Sequence, residues 1–255
     1  MIVAALARLV PENIHVSSKT WRFKDQIFVP ILAGATLKDR VVACFGGLLG
    51  ITLTAWICAS WLKAPLSMPM IVAPIGASAV LLFAVPASPL AQPWSIIGGN
   101  TISSLVGVVT FQLMGNSPAA AGTAVAVAIM AMSLCRCLHP PGGAAALTSV
   151  IGGPAVAAAG FHFPFAPVAI DSMLLVTAGW VYHQFSHHSY PHRAPAAKVV
   201  APTELDIPSF VPEDLDRALD TWGEALDVSR EDLDQLLHYV EAQATLRRSR
   251  ARSAT

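Results

Sequence analysis

The long middle part of the chain, residues 41–182, is almost free of formal charge, and this feature limits the fold most strongly. Its formally charged residues are Lys63, Arg136 and Asp171. Ordinary soluble domains carry roughly 25% charged residues, whereas this chain has 13% charged and 54% hydrophobic residues. The pattern therefore predicts an all-α integral membrane protein with its functional part inside the lipid-embedded core.

Six apolar segments follow one another in this region. A membrane-spanning helix needs about 20 apolar residues. Four segments approach or reach that length, at residues 41–62, 95–114, 119–138 and 167–185, and two are shorter, at 70–85 and 141–151. Each short segment opens with Pro and Gly, and we expect about six helical segments in all.

The two short segments resemble each other. Pro74 aligns with Pro140 and Gly76 with Gly142, and each short segment lies between two long ones. Two halves of three elements, each with a Pro/Gly-interrupted middle, are typical of inverted-repeat transporters. Helices rich in Ala and Gly also align easily with one another, so an inverted 3+3 repeat and a chance match both stay open.

Basic residues flank the predicted membrane domain at both ends and predict its orientation. Cytoplasmic loops carry an excess of Lys and Arg, so we expect both termini in the cytoplasm, with the domain in the plasma or inner membrane of the cell. Four and six crossings both satisfy this, and Arg136 favours six because it then lies on the cytoplasmic side. The flanking residues are Lys19, Arg22, Lys24, Lys38, Arg40, Arg193 and Lys198.

The chain divides into four predicted parts. These are a cytosolic N-terminal segment at 1–40, a transmembrane domain at 41–186, a juxtamembrane linker at 187–202 and a cytosolic amphipathic helical tail at 203–255. Twelve of the 16 acidic residues follow position 203, and the tail has apolar residues at helical spacing. Ser229 and Asp232 are typical of a helix start of the capping-box kind. The beginning of the chain lacks the residue order of a cleaved signal peptide.

The strongest candidate site is the sequence HPPGGAAAL at residues 139–147. Proline has no amide hydrogen and glycine leaves the backbone uncovered, and helix starts with free amides attract anions. The sequence APIGAS at 73–78 has the same character. The two openings predict one small-anion site, and a plain turn between packed helices is the alternative. The expected substrate-binding residues are Gly76, Ala77, Ser78, Asn100, Thr101, His139, Pro140, Pro141, Gly142, Gly143 and Ala144.

His139 and Asp171 are the candidates for proton coupling. A histidine titrates near neutral pH, and a carboxyl group in an apolar segment is costly in lipid. The alternatives are a helix-end cap for His139 and an interfacial position for Asp171. Asn100 and Thr101 line the pathway or hold helices together.

Other chemistry finds little support in the sequence. Cys135, Cys137 and His139 lack the spacing of an ordinary zinc site, and the histidines near residue 188 fit a polar juxtamembrane segment, so we expect no metal and no cofactor. The sequence has no Walker A motif, dinucleotide-binding fingerprint or nucleophile elbow. We therefore expect neither an enzyme nor a nucleic-acid-binding protein.

Three stretches carry a family resemblance: LHPPGGAAAL, PIGASAVLLFAVPASPLAQPWSIIGGN and WVYHQFSHHSYPHR. They resemble the HPP family of integral membrane proteins, most like a bacterial member, and the likeness covers residues 20–193. Members usually have four transmembrane helices, fewer than the six segments counted here. The resemblance implies nitrite transport, with which plant and cyanobacterial relatives are associated. Residues 206–242 look like the linker that leads, in some bacterial members, into nucleotide-sensing CBS domains, which this sequence does not include.

The leading functional hypothesis is a transporter or channel for a small inorganic anion, with nitrite first. Its expected partners are the lipid bilayer, the anion and a second copy of the chain, as in a homo-oligomer such as a dimer. One alternative is a non-transporting membrane sensor or scaffold that acts through its cytosolic tail. Another is a cation or metal permease that depends on Asp171.

Overall fold

The computed structural model describes residues 36–62, 71–186, 188–193, 211–222 and 227–253. The chain forms two compact units, Met1–Arg40 and Val41–Thr255. In the first unit the described residues are 36–40, where Thr36 N–H donates to Asp39 Oδ2 at 2.8 Å and Asp39 N–H donates to Thr36 Oγ1 at 3.2 Å. Most of the predicted N-terminal segment, Lys63, and most of the predicted linker lie outside the described residues.

The described chain is mainly helical, which confirms the all-α membrane fold. Proline opens α2 to α6, a position where its missing amide hydrogen costs nothing. The helices of the membrane domain are α1 Leu37–Leu62, α2 Pro74–Ala84, α3 Pro93–Met114, α4 Pro118–Leu134, α5 Pro140–Ile151, α6 Pro154–Ala159 and α7 Ile170–His183. A short π-helical turn, Pro164–Ala169, leads into α7, and the tail forms α8 Pro212–Trp222 and α9 Arg230–Ser253.

Within the described residues, three segments are long and apolar enough to cross a membrane: Leu37–Ser60, Pro93–Met114 and Pro164–His183. A fourth crossing arises if Pro140–Ile151 and Pro154–His162, which are bent by 91° at their junction, count as one span. The expectation of four long segments is wrong for α4. That helix has 17 residues and ends at Leu134, because Arg136 adopts the left-handed backbone conformation (φ 53°) that often terminates helices.

The bend after α5 is a second difference from the sequence expectation. The last short segment continues beyond Ile151 as α6, which the apolar pattern did not predict. Gly152 and Gly153 form the turn, and Gly153 has φ 84°, a conformation that glycine adopts without strain. α6 therefore runs at a steep angle to α5 before the chain returns through α7.

Hydrogen bonds at one end of the bundle fix the helix directions. Tyr182 Oη donates to Val42 O at 2.7 Å, and His183 Nε2 lies 3.0 Å from Leu82 O. The start of α1 and the end of α2 therefore lie beside the end of α7. We call this the tail-bearing end, because the chain leaves it towards α8 and α9.

The remaining helices meet at the same end. Trp94 Nε1 donates to Cys135 O at 3.0 Å, joining the start of α3 to the end of α4. His139 Nδ1 lies 2.7 Å from Leu90 O, which brings the start of α5 to the loop before α3. The segments α1, α2, α3, α4, α5 and α7 thus alternate in direction, and the described membrane domain begins and ends on one side. The inverted repeat stays a prediction.

Small residues allow α3 and α5 to pack at very close range. A Cβ atom on Gly107 would overlap the backbone oxygen of Ala146, and one on Gly99 would lie 2.6 Å from His139 Cβ. On α4 the buried face is also made of small side chains, at Ala120, Ala124 and Ala128. The approach of α3 to α5 is what brings the polar side chains of α3 against the start of α5.

Candidate functional site

A group of polar side chains is fully buried where α2, α3, α5 and α7 meet. Ser78 Oγ lies 2.8 Å from His139 Nε2. Asn100 Nδ2 donates to Ser78 Oγ at 3.1 Å and to Ser172 Oγ at 3.3 Å. Ser103 lies one turn along α3 from Asn100. The five residues Ser78, Asn100, Ser103, His139 and Ser172 are each 0% exposed. We call these five residues the polar cluster; none of them carries a fixed charge.

The imidazole of His139 is held from both sides, and its partners fix its tautomer. Leu90 O is a carbonyl and can only accept, so Nδ1, at 2.7 Å, carries a hydrogen. In the neutral ring Nε2 is then an acceptor, and the Ser78 hydroxyl, whose Oγ also lies 3.2 Å from Pro74 O on its own helix, can donate to it across the shorter distance of 2.8 Å. The bonds run in one direction, from Asn100 through Ser78 to His139 and on to Leu90.

Two atoms of the polar cluster lack a hydrogen-bond partner. These are Asn100 Oδ1 and Ser103 Oγ, both on α3. A buried polar group without a partner costs about 1–3 kcal/mol, and native structures contain few of them. Rotating the Asn100 amide by half a turn only moves the unpaired end from the oxygen to the nitrogen. The polar cluster therefore has unused hydrogen-bonding capacity at apolar depth.

The backbone amides at the two helix openings are already bonded. Gly76 N–H donates to Ala73 O at 3.0 Å, and Gly142 N–H donates to His139 O at 2.8 Å. The prolines before them have no amide hydrogen. This differs from the expectation of free amide donors, because the first turn of each helix closes with bonds to the residue three positions earlier. Donors at this site are therefore side chains.

The expected site residues fall into three groups: inside the polar cluster, at its edge and outside it. Ser78, Asn100 and His139 come together in the polar cluster. Gly142 lies at its edge, where a Cβ atom would be 2.8 Å from Ser103 Oγ and 2.7 Å from Met132 Sδ, and Pro141 is buried beside it. The residues outside the polar cluster are exposed or half-buried; they are Gly76, Ala77, Thr101, Pro140, Gly143 and Ala144. Thr101 donates to Ile97 O on its own helix at 2.6 Å.

Asp171 is fully buried and has partners on both carboxylate oxygens. Cys58 Sγ donates to Oδ1 at 2.9 Å, and Val72 N–H donates to Oδ2 at 3.0 Å. Its neighbour Ser172 belongs to the polar cluster. The carboxylate itself bonds to α1 and to Val72, two residues before α2. Asp171 thus ties three segments together at the end of the bundle opposite the tail.

The Asp171→Asn variant is expected to be less stable than the wild type. With the amide oxygen of the variant accepting from the Val72 amide, the amide nitrogen would face Cys58 Sγ, which is the donor in the wild type and only a weak acceptor. The loss of one such buried bond costs about 1–3 kcal/mol, which a thermal unfolding midpoint in detergent would reveal. Cys58→Ser keeps a donor to Asp171 and should stay close to the wild type. Equal midpoints for Asp171→Asn and the wild type would contradict this role.

The sequence did not predict three functional neighbours. Ser172 and Ser103 are polar residues in otherwise apolar helices, at positions next to Asp171 and one turn from Asn100. Leu90 takes part through its backbone oxygen, which no side-chain pattern can indicate. Among the described residues no group of three or more His, Cys, Asp or Glu side chains could hold a metal ion.

Comparisons with known proteins agree with the membrane architecture. The family described as "HPP, transmembrane region" matches residues 33–191. Two proteins from Dictyostelium discoideum, each named only as a transmembrane protein, are 38% identical over 129 residues and 36% identical over 120 residues. The matches cover 49% and 45% of this chain and 45% and 38% of those relatives, so the chain spans less than half their length. No solved structure matches the chain.

Proposed function

Because the chain belongs to the HPP transmembrane family, we propose that it is a transporter or channel for a small inorganic anion, with nitrite as the first candidate. The polar cluster is the proposed anion site. One observation carries the proposal: Asn100 and Ser103 present unpaired polar atoms, fully buried, beside the start of α5. A ligand that enters the polar cluster would pair both atoms, and the cluster brings the two together on neighbouring turns of one helix.

The chemistry of the polar cluster favours a small anion over a cation. Its side chains offer hydroxyl, amide and imidazole groups and no carboxylate. The start of α5 adds the positive end of a helix dipole. Asp171 is the acidic residue nearest in sequence to a member of the polar cluster, because it precedes Ser172. Both of its carboxylate oxygens already accept hydrogen bonds, from Cys58 and Val72.

His139 gives the proposed site a way to couple a proton to the anion. When His139 takes up a proton, Nε2 becomes a donor to Ser78 Oγ, and the Ser78 hydroxyl turns to donate to Pro74 O, 3.2 Å away, or to the Asn100 amide oxygen once that amide has rotated. The Asn100 NH₂ group is then free to donate to the anion, beside a new positive charge. Proton and anion would thus enter together. Cys137 on the same connection and Asp171 beside Ser172 are the titratable neighbours, and a role for Asp171 in proton transfer stays a prediction.

We place the tail-bearing end in the cytoplasm of a plasma or inner membrane, as the flanking basic residues favour. Arg136 then stands exposed at the cytoplasmic end, three residues before His139, where its charge attracts anions. Assembly as a homo-oligomer, such as a dimer, also stays a prediction.

The direct test is anion flux through the purified protein in liposomes. Nitrite uptake should exceed the leak of protein-free liposomes, which neutral nitrous acid carries. Nitrate, formate and chloride in the same assay define the selectivity. Absence of flux for every small anion would favour a sensor or scaffold, and cation flux that disappears in Asp171→Asn would favour a permease.

Proton coupling predicts that nitrite uptake is faster when the outside is more acidic than the inside. The His139→Gln variant keeps hydrogen-bonding groups but cannot titrate, so its remaining flux should lose this dependence. Initial uptake rates measured with and without a pH gradient, corrected for the protein-free leak, provide the comparison. A gradient response that is the same in His139→Gln and the wild type would exclude His139 as the proton carrier.

A further inference from the structure

The tail helices are fastened to the membrane domain at two points. Asp227, just before α9, accepts a hydrogen bond from Ser88 Oγ at 2.7 Å. Asp232, in the first turn of α9, lies 3.0 Å from His192 Nε2, and His192 N–H donates to Gln92 Oε1 at 2.9 Å. Both fastenings lead to the loop at residues 86–92, which joins α2 to α3.

Loop 86–92 is itself tightly bonded. Gln92 Nε2 donates to Pro86 O at 3.0 Å and to Ser88 O at 2.8 Å. Ser88 Oγ accepts from Leu90 N–H at 3.1 Å, so the hydroxyl that bonds to the tail also shapes the loop. Ala91 is fully buried, and its backbone oxygen accepts from Tyr190 Oη at 3.0 Å.

The same loop reaches the polar cluster. Leu90 O is the partner of His139 Nδ1 at 2.7 Å, and His139 is 0% exposed. A continuous path of hydrogen bonds therefore runs from Asp227 through Ser88 and Leu90 to His139. Every step in this path is between described residues of one compact unit.

We propose that α8 and α9 act as a latch that holds loop 86–92 over His139 and so closes the tail-bearing end of the anion path. Release of the latch loosens the loop and opens this end. The proposal rests on the proposed function, whose site it regulates. A small number of bonds at a partly exposed contact can be shifted by any partner that binds the released tail better.

The pKa of Asp232 agrees with a formed hydrogen bond between Asp232 and His192. Burial alone raises the pKa of Asp232, but the hydrogen bonds from Ser229 and His192 outweigh burial and lower the pKa below its ordinary value. Ser229 Oγ donates to Asp232 Oδ2 at 2.6 Å and accepts from Asp232 N–H at 3.1 Å, which confirms the predicted helix start. Arg230 Nε also donates to Asp216 Oδ1 at 2.6 Å, so α8 and α9 are held to each other independently of the loop.

The test removes the two fastenings without touching the cap of α9. Asp227→Ala with His192→Ala removes the two bonds that fasten the tail, Asp227 to Ser88 and Asp232 to His192, and keeps the bond from the His192 backbone N–H to Gln92. The matched control is Asp220→Ala with His162→Ala, which removes one exposed aspartate of α8 and one exposed histidine elsewhere. Size-exclusion chromatography and an unfolding midpoint establish that both variants are folded.

The first readout is the reactivity of Cys137, which is 0% exposed and lies two residues before His139. In a background with the exposed Cys44 and Cys135 changed to serine, a membrane-impermeant maleimide is applied from the tail side. Labelling at Cys137, quantified by peptide mass spectrometry, should be at least about fivefold faster in the latch variant, as expected for a shifted opening equilibrium. The control should label like the parent.

The second readout is nitrite flux, which should rise in the latch variant and not in the control. Unchanged Cys137 labelling in a folded latch variant would overturn the proposal, as would faster labelling with unaltered flux in a protein that conducts nitrite. Absence of flux in every form, wild type included, would overturn the proposed function instead, and Cys137 labelling would still decide whether the latch exists.

Discussion

The Gly107→Ala variant is expected to lose most of its folded fraction in detergent, whereas Gly143→Ala stays close to the wild type. A methyl group on Gly107 would overlap the backbone oxygen of Ala146 and lie 2.7 Å from Ser149 Cβ. The nearest atom to a methyl group on Gly143 is Val125 Cγ1 at 3.9 Å, an ordinary contact. Both substitutions make the same change in helix propensity, and they differ in the atoms that the new methyl group would contact.

The size of the Gly107 effect follows from the stiffness of its neighbour. Inserting a methylene into a packed core costs about 1–3 kcal/mol when side chains can adjust. We expect a larger cost here, because the methyl group would collide with a backbone oxygen, which cannot rotate away. Relief requires α3 and α5 to separate, which would also part Asn100 and Ser103 from the start of α5. Unfolding midpoints from fluorescence-detected size-exclusion chromatography test this. Similar midpoints for Gly107→Ala and Gly143→Ala would mean that the close contact between α3 and α5 is not needed.

The second large effect is expected from Asn100→Asp, which should reduce nitrite flux by a factor of about 100 or more. The side chain keeps its size, so the packing of α3 changes little. A carboxylate about 4 Å from the anion opposes it by roughly 4 kcal/mol at an effective dielectric constant of about 20. Uptake rates in liposomes, normalised to folded protein, give the comparison.

The matched control for Asn100→Asp is Thr101→Ala on the next residue. Thr101 is half-buried and donates to its own helix at Ile97 O, outside the polar cluster, so its loss should leave nitrite flux near the wild-type rate. Equal flux for Asn100→Asp and the wild type would remove Asn100 from the anion path. A similar loss in Thr101→Ala would point to helix packing rather than to the site.

Much of this architecture could be predicted from the sequence, because the apolar segments are set by burial in lipid. Five of the six predicted segments end within a few residues of the observed helices. The Pro/Gly openings led to Ser78 and His139, which lie together in the polar cluster; their binding role stays a prediction. The early end of α4 was missed because the apolar pattern continues past Leu134. What stops the helix is the backbone conformation of Arg136, which no hydropathy pattern contains.

The site itself was only partly predictable. Ser103 and Ser172 join Asn100 because of how α3 and α7 are rotated, and rotation is decided by packing across helices that are distant in sequence. The small residues Gly99 and Gly107 carry that information, but their partners His139 and Ala146 cannot be identified from one chain. The amides of Gly76 and Gly142 are bonded because the first turn of each helix closes onto the residue three positions earlier. A pattern of Pro and Gly residues does not predict whether such a turn closes.

The most direct test of the central claim is to locate an anion at the polar cluster. Bromide is close to nitrite in size and scatters X-rays anomalously, so crystals of the wild type grown in bromide can be compared with crystals of Asn100→Asp. We predict an anomalous peak within hydrogen-bonding distance of Ser103 Oγ and the Asn100 amide in the wild type. This peak should be absent in Asn100→Asp and should be displaced by nitrite. A wild-type protein that transports nitrite but has no anion there, with Asn100 and Ser103 bonded to other protein groups, would contradict it.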